Sequence, residues 1–276
     1  MTLFVNLRQA AVGGGLPAEA SVVSATEPAA LRTLPWQEAL AEIRGRRLMI
    51  FCHGFNVSLQ GGVRSAVAMQ AHLQPAADEL YLAVLWPGDF RVPVVNYPFE
   101  YEDAVRAGRL LARFIDRRCG EAAAVSLGAH SLGGRVVLEA LAAASRRVAE
   151  MCVAAPAVDA DCLTQRFAPS LAHVGRLTVL SSESDRVLRW AYPLGDFFSD
   201  IFGDTDSPFR GALGLSGPRP RAGPPVHAQA IPKADRYDHG DYVPGKATQP
   251  GQPAPKWARA VGYWGRAMRG DAQLRW

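Results

Sequence analysis

The chain has 276 residues, of which 49% are hydrophobic and 20% are charged, so it can bury a substantial core and does not resemble an intrinsically disordered protein. The net charge of +4 is small for this length, and the basic residues are scattered rather than clustered in long blocks. The composition therefore does not favour nucleic-acid binding.

The sequence lacks recognisable targeting, membrane and metal-binding signals. Its first residues, MTLFVNLRQA, do not follow the pattern of a secretory signal peptide, and no apolar stretch is long enough to span a bilayer. The spacing of the four cysteines is not that of zinc ligands; they are Cys52, Cys119, Cys152 and Cys162. We therefore expect a cytoplasmic protein with reduced thiols, no stable membrane anchor and no bound metal.

Short apolar runs alternate with longer amphipathic patterns along most of the chain. The runs predict strands at residues 2–7 (an outer strand), 48–52, 81–86, 122–127, 151–155, 177–181 and 226–231. The amphipathic patterns predict helices at residues 36–44, 60–73, 101–118, 136–144 and 258–268. Strands separated by helices form βαβ units, so we predict an α/β fold with a mostly parallel central sheet flanked by helices, in a single domain spanning residues 1–276.

The strongest chemical signal is the segment 124–134, AVSLGAHSLGG. An apolar strand here runs into a turn of small residues and then into a helix. A turn of this kind exposes and aims a serine, and it requires small residues two positions before and after that serine, here Ala129 and Gly133. The first position is usually glycine, but alanine also fits. We predict Ser131 as the nucleophile of a serine hydrolase; the alternative is that it only caps a helix.

A second signal, His53–Asn56 (HGFN), directly follows the predicted strand 48–52. Acyl transfer develops negative charge on a carbonyl oxygen, which needs hydrogen-bond donors already aimed at it. The turn at Ser131 supplies the backbone N–H of Leu132, and a second donor comes from the loop after an earlier strand. We therefore predict an oxyanion hole formed by the N–H groups of Phe55 and Leu132.

The general base of such a hydrolase follows the nucleophile and the acid in chain order. The histidines after Ser131 are His173, His227 and His239. His173 precedes the fifth central strand and comes too early, while His227 lies within the last predicted strand. His239 lies in the loop after that strand, so we predict it as the base, with His227 as the alternative.

The acid of the triad must follow a strand between the serine and the histidine. Asp185 comes four residues after the predicted strand 177–181 and would orient His239 and stabilise its imidazolium form. Asp185 could equally cap the helix that follows it. Three other carboxylates remain as alternatives: Glu183, which is the first competitor, and Asp159 and Asp161.

A long segment, residues 192–225, interrupts the alternation of strands and helices. It is rich in Gly, Pro and Asp, with interspersed aromatic and aliphatic residues. A loop this long in a compact domain is usually functional or mobile. Two interpretations stay open: a lid over Ser131, or a surface loop anchored by its own apolar residues.

These motifs resemble those of the α/β-hydrolase superfamily, and more narrowly those of a largely uncharacterised bacterial group within it. The AHSLGG turn at residues 129–134 carries the resemblance to the superfamily. In the bacterial group, one strand ends in His-Gly-Phe-Asn and the next in Trp-Pro-small, matched here by His53–Asn56 and Trp86–Gly88. The resemblance covers about residues 45–245 and implies an α/β-hydrolase fold with serine hydrolase chemistry.

The same bacterial group has further motifs around its acid and base. Its acid lies in a Ser-x-x-Asp sequence, matched by Ser182–Asp185, and its histidine is followed by an aromatic, matched by His239 and Tyr242. A Tyr-x-x-Asp helix precedes the serine in that group, but here the spacing from Tyr101 to Asp103 is one residue shorter, so no role is implied for that pair.

The expected activity is cleavage of a carboxylic ester in a small-molecule acyl substrate, through an acyl-enzyme and without any cofactor. The same residues would serve an acyltransferase, a thioesterase or a peptidase, since the fold does not choose among them. A non-catalytic binding protein is the alternative from another class, and the complete set of candidate residues argues against it. Nothing in the sequence indicates an oligomeric state.

Overall fold

The computed structural model describes residues 1–9, 15–27, 30–88, 97–190, 211–245 and 255–276, and their nine strands form one sheet. The strands are β1 (Thr2–Asn6), β2 (Ser21–Ala25), β3 (Arg32–Thr33), β4 (Arg47–Cys52), β5 (Glu79–Leu85), β6 (Ala124–His130), β7 (Val148–Ala154), β8 (Val174–Ser181) and β9 (Val226–Ala230). Their order across the sheet is β3-β2-β1-β5-β4-β6-β7-β8-β9. In this spatial order, each pair of neighbouring strands from β1 across to β9 is parallel. The two remaining pairs, β1 with β2 and β2 with β3, are antiparallel.

Helices lie between and after these strands. They are α1 (Trp36–Ile43), α2 (Leu59–Leu73), α3 (Tyr97–Arg118), α4 (Gly133–Ala143), α5 (Arg186–Trp190), α6 (Leu213–Ser216) and α7 (Lys256–Met268), with short 3-10 helices at Pro169–His173, Lys233–Asp235 and His239–Asp241. Each predicted strand and helix is present, with its ends shifted by a few residues. The prediction of an outer strand at residues 2–7 is wrong in position, because β2 and β3 extend the sheet beyond β1.

The central strands are apolar on both faces because helices cover both sides of the sheet. In β4, Leu48, Ile50 and Cys52 belong to the core layer under α1, α3 and α4. Met49 and Phe51 point the other way, into the layer formed with α2 and α7. This alternation explains why an uninterrupted apolar run, rather than an alternating one, marks a central strand of this sheet.

Parallel pairing brings the carboxyl ends of the central strands to one edge of the sheet. Cys52 at the end of β4 pairs with Ala129 of β6, and His130 pairs with Ala154 at the end of β7. Ala154 in turn lies opposite Leu180 of β8. The loops after β4, β6 and β8 therefore meet at this edge, which is where ligands bind in open α/β sheets.

The described part of the segment 192–225 is attached to the core. Residues 191–210 lie outside the described residues, so the lid interpretation stays a prediction for them. Residues 211–225 contain α6, in which Leu213 is fully buried. A Cβ atom at Gly214 would lie 2.3 Å from the backbone carbonyl carbon of Ala155, so this turn packs directly against the segment after β7.

Two further sequence predictions concern membranes and thiols. The described helices include none with both the length and the apolar character needed to cross a bilayer. All four cysteines are buried and free, and burial raises the pKa of the Cys119 thiol to about 12. These thiols therefore lack the thiolate character that reactive cysteines need. The cytoplasmic location stays a prediction.

Helix α7 packs against β6 through a contact that requires glycine. A Cβ atom at Gly128 would lie 2.0 Å from Nε1 of Trp264. Trp264 is itself buried, with its ring edge-on to Phe51 at 5.2 Å between centroids. Because a tryptophan ring held in this way has no free space to move into, a methyl group on Gly128 would displace α7 from the sheet.

We therefore expect Gly128→Ala to destabilise the protein by about 2 kcal/mol or more, the cost of overpacking a closely packed core. Urea unfolding followed by circular dichroism measures this change. Gly120→Ala is the matched control, because a Cβ atom there would meet nothing within 4 Å. Equal unfolding midpoints for the two variants would show that the α7 contact does not constrain residue 128.

Candidate active site

Ser131 lies at the sharp turn between β6 and α4. Its backbone has a φ angle of +54°, in the left-handed region that non-glycine residues rarely adopt. Hydrogen bonds fix this conformation: the Ser131 N–H donates to the Ala154 carbonyl over 3.1 Å, and the Ser131 carbonyl accepts from Gly134 and Ala157 at 2.9 and 3.1 Å. The strained turn is therefore held by its neighbours, as is common at functional sites.

The residues around the turn are small because the loop after β4 approaches closely. A Cβ atom at Gly133 would lie 2.4 Å from the His53 carbonyl oxygen. A Cβ atom at Gly54 would lie 2.8 Å from Cβ of Ser131 and 3.4 Å from its Oγ. Ala129, the other small residue that the turn requires, is fully buried in β6. Gly54 thus carries the backbone of the β4 loop past the serine hydroxyl.

His239 connects the serine to a carboxylate. It opens the 3-10 helix His239–Asp241, nine residues after the end of β9. Its Nε2 lies 2.8 Å from Oγ of Ser131, and its Nδ1 lies 2.8 Å from Oδ2 of Asp185. Three side chains separated widely along the chain therefore form one hydrogen-bonded line, with the geometry of a nucleophile, a base and an orienting acid.

Asp185 performs two tasks with its two oxygens. Oδ2 accepts from His239, while Oδ1 accepts the backbone N–H of Leu188 over 2.9 Å and so caps the first turn of α5. The two interpretations of Asp185 from the sequence, acid and helix cap, are thus compatible. Its side chain is completely buried, and the helix cap holds it in a single orientation towards His239.

The alternative residues lie elsewhere. Glu183 is exposed and forms an ion pair with Lys233 at 2.7 Å, which lowers the pKa of its carboxyl group. Asp159 pairs through its backbone with Ala212 in an isolated β-bridge after β7. His227 lies within β9 opposite Thr178 of β8. Of the predicted candidates, the structure brings together Ser131, His239 and Asp185.

The turn that carries His239 is anchored on both sides. The hydroxyl of Ser182, three residues before Asp185, donates to the Tyr237 carbonyl over 2.8 Å. Asp238 accepts the backbone N–H groups of Arg186 and His239 at 3.0 and 2.9 Å and forms an ion pair with the Arg186 guanidinium. These contacts tie the loop after β9 to the start of α5.

His130, which sequence reasoning missed, ties the same turn to β6, the strand that leads to Ser131. It directly precedes Ser131, is buried, and its Nε2–H donates to the His239 carbonyl over 2.9 Å. Its ring packs against Tyr242, with centroids 5.7 Å apart. Burial, reinforced by the proximity of the His239 and His53 rings, lowers the pKa of His130 well below the usual range, so His130 acts as a neutral hydrogen-bond donor.

The predicted oxyanion hole lies between the β4 loop and α4. Leu132 is the N-cap residue directly before α4, and Phe55 follows Gly54, the glycine that passes Ser131. Phe55 is partly buried and packs against the core layer under α4. Leu132 thus adjoins Ser131 in the chain and Phe55 adjoins the glycine beside it, and their role as oxyanion donors stays a prediction.

The carboxylates near His239 have structural partners. Asp241 and Asp238 form a reciprocal capping box around the 3-10 helix. Asp235 accepts from the indole of Trp276 at 2.7 Å and pairs with Arg259. In the part of the chain that the structure describes, no group of three His, Cys, Asp or Glu side chains is placed to hold a metal ion.

The fold and the site together define the class of this protein. A mostly parallel sheet flanked by helices, with a strained serine between a central strand and the next helix, is the α/β-hydrolase fold. Residues 32–196 match the family described as alpha/beta hydrolase of unknown function (DUF900). Since this match covers more than half of the sequence, the chain belongs to that family. The match includes Ser131 and Asp185 and ends before His239.

Comparison with solved structures returns esterases at low identity. They include esterase 2 of Thermogutta terrifontis with propionate bound (10% identity, 92% of this chain and 91% of that chain, TM-score 0.46), an esterase of Pyrobaculum calidifontis (12%, 92% and 81%, 0.45) and carboxyl esterase 2 of Tuber melanosporum (13%, 97% and 90%, 0.44). None of the curated proteins matches the sequence.

The partly buried His53 predicts a pH dependence of folding. His53 donates its Nδ1–H to the Gly54 carbonyl at 2.8 Å, and burial, aided by the charge of Arg8, lowers its pKa to about 4. The unfolded chain protonates His53 near pH 6.5, so its contribution to stability is complete above that pH and is lost as the pH falls towards 4.

For His53 alone we expect a loss on the order of 3 kcal/mol in the free energy of unfolding between about pH 7 and pH 4. His53→Asn keeps an N–H donor near the Gly54 carbonyl but does not titrate, so its stability should fall less over this range. Urea unfolding at a series of pH values measures both curves. Parallel curves for wild type and His53→Asn would contradict the assignment of the lowered pKa to His53.

Proposed function

We propose that this protein is a serine hydrolase that cleaves a carboxylic ester of a small-molecule substrate through an acyl-enzyme on Ser131. The observation that carries the proposal is the line of two 2.8 Å hydrogen bonds from Ser131 Oγ through His239 to Asp185. A serine hydroxyl is a weak nucleophile unless a base adjoins it, and this arrangement supplies the base and the group that orients it.

In the proposed reaction, Oγ of Ser131 attacks the ester carbonyl carbon while its proton passes to Nε2 of His239. Asp185 accepts the Nδ1–H of His239, which keeps Nε2 free to accept and stabilises the imidazolium ion that forms. The tetrahedral intermediate collapses when His239 returns the proton to the leaving alcohol. Water then attacks the acyl-enzyme with the help of the same base and releases the acid.

Negative charge on the carbonyl oxygen is stabilised, in this proposal, by the N–H groups of Phe55 and Leu132. The close passage of Gly54 beside Ser131 and the position of Leu132 as the N-cap of α4 support this assignment. A lost oxyanion donor costs about 3 to 4 kcal/mol of transition-state stabilisation in comparable enzymes. These donors are backbone groups, so they are displaced by movements of the loop rather than removed by side-chain changes.

We expect a fluorophosphonate probe to label the wild-type protein on Ser131 and to leave Ser131→Ala unlabelled, as shown by peptide mass spectrometry. Ser126→Ala is the matched control. Ser126 is a buried serine of β6, the strand that leads to Ser131, and its hydroxyl donates to the Met268 carbonyl. It should label like the wild type. Equal labelling of Ser131→Ala and wild type would refute the assignment of Ser131 as the nucleophile.

We also expect Asp185→Asn to lower kcat for p-nitrophenyl esters by roughly 10³- to 10⁴-fold, because an amide at this position favours the wrong histidine tautomer. The oxygen of asparagine can still cap α5, so the fold should be retained. Glu183→Gln is the control: it changes the competing carboxylate and should leave kcat within twofold. A larger loss in Glu183→Gln than in Asp185→Asn would reverse the assignment of the acid.

A further inference from the structure

Trp86, which follows β5, contacts the loop that carries Phe55. It is completely buried. Its indole Nε1–H donates to the His53 carbonyl over 2.9 Å, and its ring stacks on the His53 imidazole, with centroids 5.8 Å apart and an interplanar angle of 20°. Trp86 looks like an ordinary core tryptophan in the sequence, but it holds the first peptide group of the loop in place.

The residues after Trp86 hold the other end of the same loop. The Gly88 N–H donates to the Trp86 carbonyl over 2.8 Å, and the Gly88 carbonyl accepts the Asn56 N–H over 2.6 Å. A Cβ atom at Gly88 would lie 2.9 Å from the Trp86 ring, so this turn folds against the indole. Asn56 has a φ angle of +56°, a conformation that this hydrogen bond helps to hold.

The His53 carbonyl is confined from the opposite side as well. Its oxygen approaches Gly133 so closely that a Cβ atom there would lie 2.4 Å away. The guanidinium of Arg8, also buried, donates to the Trp86 carbonyl over 3.0 Å. The loop 53–56 is therefore bound at both ends to residues 86–88 and packed against the start of α4.

We propose that Trp86 is a positioning residue that sets the place of the Phe55 N–H through its hydrogen bond to the His53 carbonyl. This inference rests on the proposed function, because the Phe55 N–H matters for rate only when an oxyanion forms. Loss of the indole N–H leaves the His53 carbonyl with only the long contact from the Cys52 thiol, at 3.7 Å, and frees the loop to shift. The transition state loses stabilisation, while binding of the uncharged ester is little affected.

The test compares Trp86→Phe with Trp264→Phe. Both changes shrink a buried indole, but Trp264 Nε1 has no hydrogen-bond partner among the described residues, so the control removes volume without removing a bond. Hydrolysis of p-nitrophenyl butyrate is measured per active site, counted by complete reaction with a fluorophosphonate. We expect kcat to fall at least tenfold in Trp86→Phe, with KM within twofold of wild type, and both constants to stay within twofold in Trp264→Phe.

Equal kcat values per active site in the two variants would overturn the proposal. Gly88→Ala provides a second route to the same loop if Trp86→Phe does not fold, because the added methyl group would press on the indole and displace the Gly88 carbonyl from Asn56. The same loss in kcat with little change in KM is expected for it, and unchanged kcat would count against the proposal.

Amide hydrogen exchange separates this inference from the proposed function. We expect exchange in peptides that cover residues 53–56 to accelerate about tenfold in Trp86→Phe and to stay unchanged in Trp264→Phe. Unchanged exchange in Trp86→Phe would refute the positioning role whatever the enzyme does. Faster exchange in a protein that neither hydrolyses esters nor reacts with fluorophosphonate would refute the proposed function and leave Trp86 as the residue that holds the loop.

Discussion

The candidate site depends on one close approach, between the loop after β4 and the turn after β6. Parallel pairing of β4 with β6 places Cys52 opposite Ala129, so the chain leaves both strands at the same level. The two backbones then pass each other at distances that exclude a Cβ atom at Gly54 and at Gly133. This contact places the β4 loop beside the Ser131 hydroxyl and makes glycine a requirement of the proposed chemistry as well as of the fold. A substitution that widened the contact would move the proposed nucleophile and its predicted oxyanion donor apart.

Neutral histidines support this arrangement. His53 and His130 lie in the two segments that approach each other, and burial keeps both uncharged near neutral pH. In that state each donates one ring N–H to a backbone carbonyl, His53 to Gly54 and His130 to His239. A positive charge on either ring would disfavour the imidazolium that His239 forms in the proposed reaction. Their burial thus serves the proposed base as well as the packing.

Much of the site followed from local sequence patterns. The turn at Ser131 is encoded within about ten residues, and parallel strand order predicts which later loops return to it, which led to Asp185 and His239. Contacts that depend on three-dimensional packing were missed. The strand β2 was not predicted because its serines weaken its apolar run. The roles of His130 and Trp86 were not predicted because they rest on hydrogen bonds to carbonyl groups far away in the chain. A buried aromatic side chain has the same appearance in a sequence whether its polar atom is bonded or not, as Trp86 and Trp264 illustrate.

The central claim is that Ser131 carries a covalent acyl group during turnover, and mass spectrometry tests it most directly. The protein is mixed with p-nitrophenyl acetate, quenched in acid while substrate remains, digested and analysed by peptide. The account predicts an acetyl group on the peptide that contains Ser131, absent from Ser131→Ala treated in the same way. Turnover with no acetyl group on Ser131, or with the acetyl group on another residue at full stoichiometry, would contradict it.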